Sequence, residues 1–202
     1  MGQYLQHVKA DVVFAMFGYN ESFSGPQAAD SYKKLLVDFV AKIRSYKPNG
    51  KDFPRIVLFS PTAFEDLKDR NLPRGKAHNK NLSAFSKATM EAAREAGVTY
   101  VDLFGPTQKL YEQEKDSLTL NGVHLNEFGN KKLGEVIAQA LLEKQTAASP
   151  SQEELRQAVL EKNWHWHNRY RATDGNDVWG GRSGLRFVDD QSNAEVLQHE
   201  LV

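Results

Sequence analysis

The chain has 202 residues, no cysteine, and 26 basic against 26 acidic side chains. Disulfides, thiolate zinc sites and a cysteine nucleophile are therefore excluded, and a balanced charge gives no field that would draw the chain to nucleic acid or an anionic surface. The length suffices for one full-sized core with an extension, and no apolar run approaches the roughly 18 residues of a membrane span.

Residues 1–9 lack the apolar segment of a signal peptide and read as the end of a preceding segment. The first strand is expected over Asp11–Phe17, apolar on both faces in the manner of a strand buried mid-sheet. Tyr32, Leu35, Leu36, Phe39, Val40 and Ile43 recur at helical spacing, and Pro48-Asn49-Gly50 stops that helix. A second strand is expected over Arg55–Phe59. Leu82, Phe85, Thr89, Ala93 and Ala96 then form a helical stripe ending at Gly97, a residue suited to a left-handed C-terminal position. A third strand is expected over Val98–Phe104 and a short helix from Pro106 to Lys115. Leu133, Val136, Ile137, Ala140 and Leu141 mark a further helix with Asn126 as its N-cap. Strands alternating with helices in this way predict parallel βαβ units, whose ligand sites lie beyond the carboxyl ends of the strands.

Residues 1–145 are thus expected to form the main domain, and 146–202 a linker, a helix and an aromatic, Gly-rich extension. Gln145 to Pro150 reads as the linker, and Ser151 with Glu154 as a capping box opening a helix through about Lys162. His165 and His167 are expected on one face of a strand. They would make two metal ligands, but no third is evident and no metal is assigned. Trp164, Trp166 and Tyr170 are expected to pack on the main domain or on a partner. Asp174-Gly175-Asn176-Asp177 fails the calcium-loop pattern at Val178 and Trp179. Gly180-Gly181-Arg182-Ser183-Gly184 lacks both the preceding strand and the lysine of a phosphate loop and reads as a loop, with Leu185-Arg186-Phe187-Val188 after it.

Chemistry concentrates in two polar turns. Leu120-Asn121-Gly122-Val123-His124-Leu125-Asn126 places an imidazole just before a helix, where it serves either as a capping or packing group or as a base. Asn121, three positions earlier, can turn back and accept the Nδ1 hydrogen, leaving Nε2 free. Phe17-Gly18-Tyr19-Asn20-Glu21-Ser22 follows the first strand. There Gly18 and Asn20 offer donors for an oxyanion, or Asn20 simply closes a turn. Ser22 and Ser24 read as turn or cap residues before nucleophiles, and Glu21 as a solvated acid or a group tuning the site. Together the turns suggest acyl transfer.

Gly18-Tyr19-Asn20-Glu21 resembles the third block, Gly-x-Asn-Asp, of the SGNH, or GDSL-like, hydrolase superfamily, and Asn121-Gly122-Val123-His124 resembles the fifth, Asp-x-x-His. Order, spacing and the intervening elements agree over about residues 8–145. The resemblance implies an α/β flavodoxin-like three-layer sandwich with a parallel sheet, and hydrolysis of lipid, acetylated-sugar or other acyl esters by a serine nucleophile without cofactor or metal. It assigns His124 the general base, Asn20 and Gly18 the oxyanion hole, and Asn121 the place of the orienting acid.

Three departures qualify that assignment. The serine-bearing first block and the glycine-bearing second block are absent, so the sheet is expected to be N-terminally incomplete, its first strand an exposed edge and the chain by itself inactive. Asn121 replaces an aspartate, which Asp116 or Glu127 would have to compensate. The alternative is a non-catalytic module that holds an acyl or sugar group in the same cleft. The expected partners are a small acyl-ester or acetylated-sugar ligand and further domains of a longer protein, with no nucleic acid and no membrane span. No compartment is specified; export would follow from a signal peptide on the full-length protein.

Overall fold

The structure, a computed structural model, describes residues 2–142, 150–170, 180–188 and 190–199. It divides into two compact units, Met1–Gln145 and Thr146–Val202.

The first unit runs α1 (Gly2–His7), β1 (Val12–Met16), two 3-10 turns (Glu21–Ser24, Pro26–Ala28), α2 (Ala29–Arg44), β2 (Arg55–Phe59), α3 (Gly75–Ala96), β3 (Thr99–Val101), α4 (Phe104–Gln113) and α5 (Glu127–Leu141). The strands pair in parallel in the order β1-β2-β3, with Val13 opposite Ile56 and Phe59 opposite Val101. Both crossovers step the same way across the sheet, so right-handed connections put α2 and α3 on one face. There Tyr32, Leu36, Val40, Ile43, Phe85, Ala92 and Ala93 bury Ala15, Ile56 and Leu58. On the other face Val57, Phe59, Val101 and Leu103 pack under Leu133, Val136, Ile137 and Leu141 of α5. The alternating side chains of β2 thus enter two cores, which is why the whole run Ile56–Phe59 is apolar. The architecture is a three-layer α/β sandwich whose sheet is open at β1.

Several local signals act as the sequence dictates. Gly97 ends α3 at φ 62° and ψ 47°. Asn126 caps α5, its side chain accepting the Gly129 N–H at 2.8 Å. The third strand is shorter than expected, because Asp102 and Leu103 leave the sheet and Phe104 already begins α4. Residues 2–7 form a helix that the sequence did not announce; Leu5 is the anchor, buried against the α2–α3 core.

The second unit contains α6 (Pro150–Tyr170), β4 (Arg186–Val188), β5 (Gln191–Ser192) and α7 (Asn193–His199). Ser151 is the second described residue of α6. One expectation fails here. His165 and His167 are helical, and residues two apart on a helix point away from one another, so the shared strand face does not exist. Trp164 and Trp166 are exposed, with Trp164 edge-on to His165 at 4.9 Å. A capping box opens α7: Ser192 receives the Glu195 N–H on its hydroxyl and donates its own N–H and hydroxyl to the Glu195 carboxylate. β4 and β5 pair antiparallel. The linker residues 145–149, the 174–179 stretch weighed as a calcium loop and the Tyr170 side chain lie outside the described residues.

Strand β1 has no neighbour on its outer side among the described residues, and Val12, Phe14 and Met16, on the α5 side of the sheet, stay exposed at 39%, 51% and 53%. An apolar strand edge of this kind is a template for association. The purified chain is expected to self-associate in sedimentation velocity, and Phe14→Lys to shift it toward monomer. Concentration-independent monomer in the unaltered chain would show that the edge is inert.

Candidate active site

All three strands end at one edge of the sheet, and the segments leaving them are tied together by buried polar groups. After β2, the Ser60 hydroxyl accepts the N–H groups of Leu103 and Phe104 at 2.7 and 3.0 Å, joining it to the end of β3. Thr107 of α4 accepts the Ala63 N–H at 2.9 Å. Asn79 of α3 pairs its carboxamide with both backbone groups of Phe64, at 2.7 and 2.9 Å, imitating a strand neighbour for a residue that has none. These bonds give an irregular segment a fixed path.

That path delivers Glu65, only 7% exposed, to the loop that follows α4. Its carboxylate accepts the Leu118 N–H at 3.0 Å, the Thr119 N–H at 2.7 Å and the Thr119 hydroxyl at 2.6 Å. Its own N–H donates to Gly122 O at 2.9 Å. The loop then closes as a small antiparallel pair, with Leu120 N–H to His124 O at 2.8 Å and Asn126 N–H to Leu118 O at 3.0 Å. At its tip Gly122 has φ +87°, and a Cβ there would overlap the Phe64 ring, so the tip lies flat on that ring and admits only glycine.

His124 projects from this loop, exposed, and Asn121 Oδ1 and Nδ2 both lie 3.1 Å from its Nδ1. Asn121 Oδ1 also accepts the N–H groups of Val123 and His124, at 3.2 and 3.0 Å, which orients the amide. A carboxylate in this position could only accept, and would hold the hydrogen on Nδ1. The amide serves both tautomers, accepting from Nδ1–H through its oxygen or donating to a bare Nδ1 through its nitrogen. Among the described residues, Asn121 is the side chain bonded to the ring; neither Asp116 nor Glu127 takes that place.

The other turn lies at the end of β1. Gly18 has φ +106°, and a Cβ there would meet the Tyr32 hydroxyl. Its N–H donates to Glu21 Oε2 at 2.9 Å, so the carboxylate of the exposed Glu21 closes the turn. Asn20 is exposed and makes no side-chain capping bond, which leaves its carboxamide available. Ser22 is fully buried and gives its hydroxyl hydrogen to Tyr19 O at 2.6 Å; it is a turn residue and not a nucleophile presented to His124. Ser24, exposed, ends the same 3-10 turn.

No hydrogen bond joins Asn20 or Gly18 to His124 among the described residues, but an aromatic cluster links their loops. His78 of α3 packs tilted against Tyr19 at 5.2 Å and edge-on to Phe64 at 5.4 Å, and Phe64 underlies Gly122. Burial pushes the Tyr19 hydroxyl up to about 12 and holds the His78 imidazole below its ordinary 6.5. His78 Nε2 and the Tyr111 hydroxyl are buried without a partner among the described residues. Glu65, Asn79 and His78 support the two turns and carry no sequence signal that marks them. Asn and Glu carry no periodic signal in an irregular segment, and His78 lies on the first turn of a helix whose apolar stripe begins at Leu82.

Comparison with known proteins adds the following. The profile of the GDSL-like lipase/acylhydrolase family matches residues 2–132. No curated protein sequence matches the chain. Among solved structures, the acetylxylan esterase Axe2 from Geobacillus stearothermophilus is similar at a TM-score of 0.54 and 15% identity, over 71% of this chain and 65% of that one. LAE5, an alpha/beta hydrolase enzyme from the metagenome of Lake Arreo, Spain, is similar at a TM-score of 0.50 and 19% identity, over 66% and 61%. The chain thus spans less than two thirds of these structures. Variants of Axe2 described as catalytic mutants replace a serine, an aspartate and a histidine, the aspartate three positions before the histidine.

Two expectations follow from the geometry. Glu65→Ala removes the acceptor of two buried N–H groups and is expected to cost about 3 kcal/mol of stability in urea unfolding; an unchanged midpoint would show that the loop holds itself. Burial holds the folded His78 imidazole below the 6.5 at which the unfolded one protonates, so at lower pH the unfolded chain binds this proton more tightly. Its contribution to stability is therefore complete above about pH 6.5 and is lost as the pH falls toward its lowered folded value. Melting temperature should decline as the pH falls below about 6.5, less steeply in His78→Leu; identical slopes would contradict this.

Proposed function

Because the chain belongs to the GDSL-like lipase/acylhydrolase family, we propose that it forms the base-bearing part of a serine ester hydrolase acting on lipid, acetylated-sugar or related acyl esters. The observation that carries this reading is the Asn121–His124 pair, 3.1 Å apart on a loop fixed at the carboxyl edge of the sheet. The catalytic aspartate and histidine of the similar acetylxylan esterase have the same spacing, and its acetylated-sugar substrate class is the first to test here.

In this reading a serine Oγ attacks the acyl carbon while His124 Nε2 takes its proton. The tetrahedral oxyanion is met by the Asn20 carboxamide and the Gly18 N–H, which Glu21 must first release. His124 then returns the proton to the leaving alcohol, and by the same route activates the water that frees the acid. Ser22 is buried with its hydroxyl bonded to Tyr19 O, and in this reading the serine is supplied by a segment that pairs along the β1 edge. A neutral Asn121 cannot stabilise the imidazolium as a carboxylate does; in serine proteases the equivalent exchange costs about 10⁴ in turnover.

That neutral amide favours a second reading, a module that binds an acyl or sugar group in the cleft without cleaving it. Ester hydrolysis separates the two. The 202-residue chain is expected to give no burst and no turnover on a short-chain aryl ester beyond a His124→Ala control. Joined to a strand and turn that carry the serine, it should gain activity that His124→Ala abolishes and Asn121→Asp raises. Ligand binding without hydrolysis in the joined protein would support the binding module. Strong His124-dependent hydrolysis by the chain alone would overturn the need for an added serine.

A further inference from the structure

Asn121 is followed by glycine, and the loop surrounds this pair with the groups that an attack within the chain requires. In an Asn-Gly sequence the next backbone nitrogen has no side chain shielding it from the carboxamide carbon, and its reaction there is slow chiefly because the N–H must lose its proton as the bond forms. Here the Gly122 N–H donates to the Thr119 hydroxyl at 2.9 Å, and that hydroxyl donates to Glu65 Oε2 at 2.6 Å, a two-step path from the attacking nitrogen to a buried carboxylate. The N–H groups of Val123 and His124 already polarise the Asn121 carbonyl as oxyanion donors would. His124 Nδ1 lies 3.1 Å from Nδ2, the nitrogen that has to leave.

We propose that Asn121 is a self-modification site, at which the Gly122 nitrogen attacks the Asn121 carboxamide and the resulting succinimide hydrolyses to aspartate. In the first step the Gly122 N–Asn121 Cγ bond forms, and the Gly122 proton passes through Thr119 to Glu65. The Cγ–Nδ2 bond breaks, and Nδ2, taking a solvent proton relayed by the His124 imidazole beside it, departs as ammonia. In the second step water adds to the ring carbonyl at Cγ and the Cγ–Gly122 N bond opens, giving the carboxylate and a proton. Nothing is oxidised or reduced, and the sum is amide plus water to acid plus ammonia. Opening at the other carbonyl would insert an extra backbone carbon and break the register set by Glu65 N–H to Gly122 O and by the Thr119–Leu125 bridge, so the loop selects the normal aspartate. The product is the Asp-x-x-His pattern that the sequence lacks. Its consequence for catalysis rests on the function proposed above; the modification does not.

The chain contains its own control. Asn49 is also followed by glycine, and its Oδ1 likewise accepts two backbone N–H groups, from Lys51 and Asp52 at 2.9 Å. Its Nδ2 is held by Asp11, and the Gly50 N–H donates to the carbonyl of Lys47, which cannot carry a proton away. General acid and base assistance is worth on the order of 10²-fold. The test is to incubate the native 202-residue chain near neutral pH and follow both sites by peptide mass mapping and released ammonia. The expected result is conversion of Asn121 about 10²-fold faster than Asn49, mainly to aspartate, with the difference abolished in urea and in Thr119→Val. Conversion of Asn121 at or below the rate of Asn49 in the native chain would overturn the proposal, and needs no variant to fold. Hydrolysis by the serine-completed Asn121→Asp protein reports separately on the function, so either idea can fail alone.

Discussion

The candidate site depends on one buried carboxylate. Glu65 is surrounded by neutral donors, two backbone N–H groups and a hydroxyl, and it binds them all within a two-residue stretch of another loop. Hydrogen bonds to a charged acceptor are the stronger kind, roughly 1.5–3 kcal/mol each, and these fix a segment that has no sheet or helix to fix it. Everything beyond Thr119 inherits that position: the flat tip over Phe64, the turn back of Asn121 and the outward projection of His124. The carboxylate is in turn placed by Asn79 and Thr107 from two different helices, so the site stands on the packed layers and not on the loop alone.

Much of the scaffold was legible in the sequence because it rests on periodic burial. The run Ile56–Phe59 is apolar throughout since its two faces enter different cores, and the stripe from Tyr32 to Ile43 faces one of them. Gly97 and Asn126 announced helix ends through their own backbone and side-chain chemistry. The pair Asn121 and His124 was legible for a similar reason, since a turn of three residues brings the two side chains within reach whatever surrounds them. Local contacts can be read from local sequence.

What was not legible is long-range or deceptive. Glu65 lies 53 positions from Leu118, and no spacing rule connects them. The alternation Trp164-His165-Trp166-His167 imitates a strand but sits in a helix of 21 residues, whose length outweighs a four-residue pattern. The box of Ser192 and Glu195 stood ahead of a helix of seven residues, too short to show periodicity. Asn121 itself was visible, but its two-sided relation to the histidine emerges only from the equal distances of its oxygen and nitrogen to Nδ1.

The sheet edge and the amide describe the same protein from two sides. β1 exposes apolar side chains along an edge unpaired among the described residues, and in the proposed function Asn121 takes the place of the carboxylate that would orient the base. The claim at the centre is that Asn121 and His124 act as a coupled pair. It is tested most directly by nitrogen NMR of the His124 ring in the unaltered chain and in Asn121→Asp. The account predicts both neutral tautomers in exchange beside the amide, and a single form with the hydrogen on Nδ1 beside the carboxylate. Ring nitrogen shifts that do not respond to the substitution would contradict it.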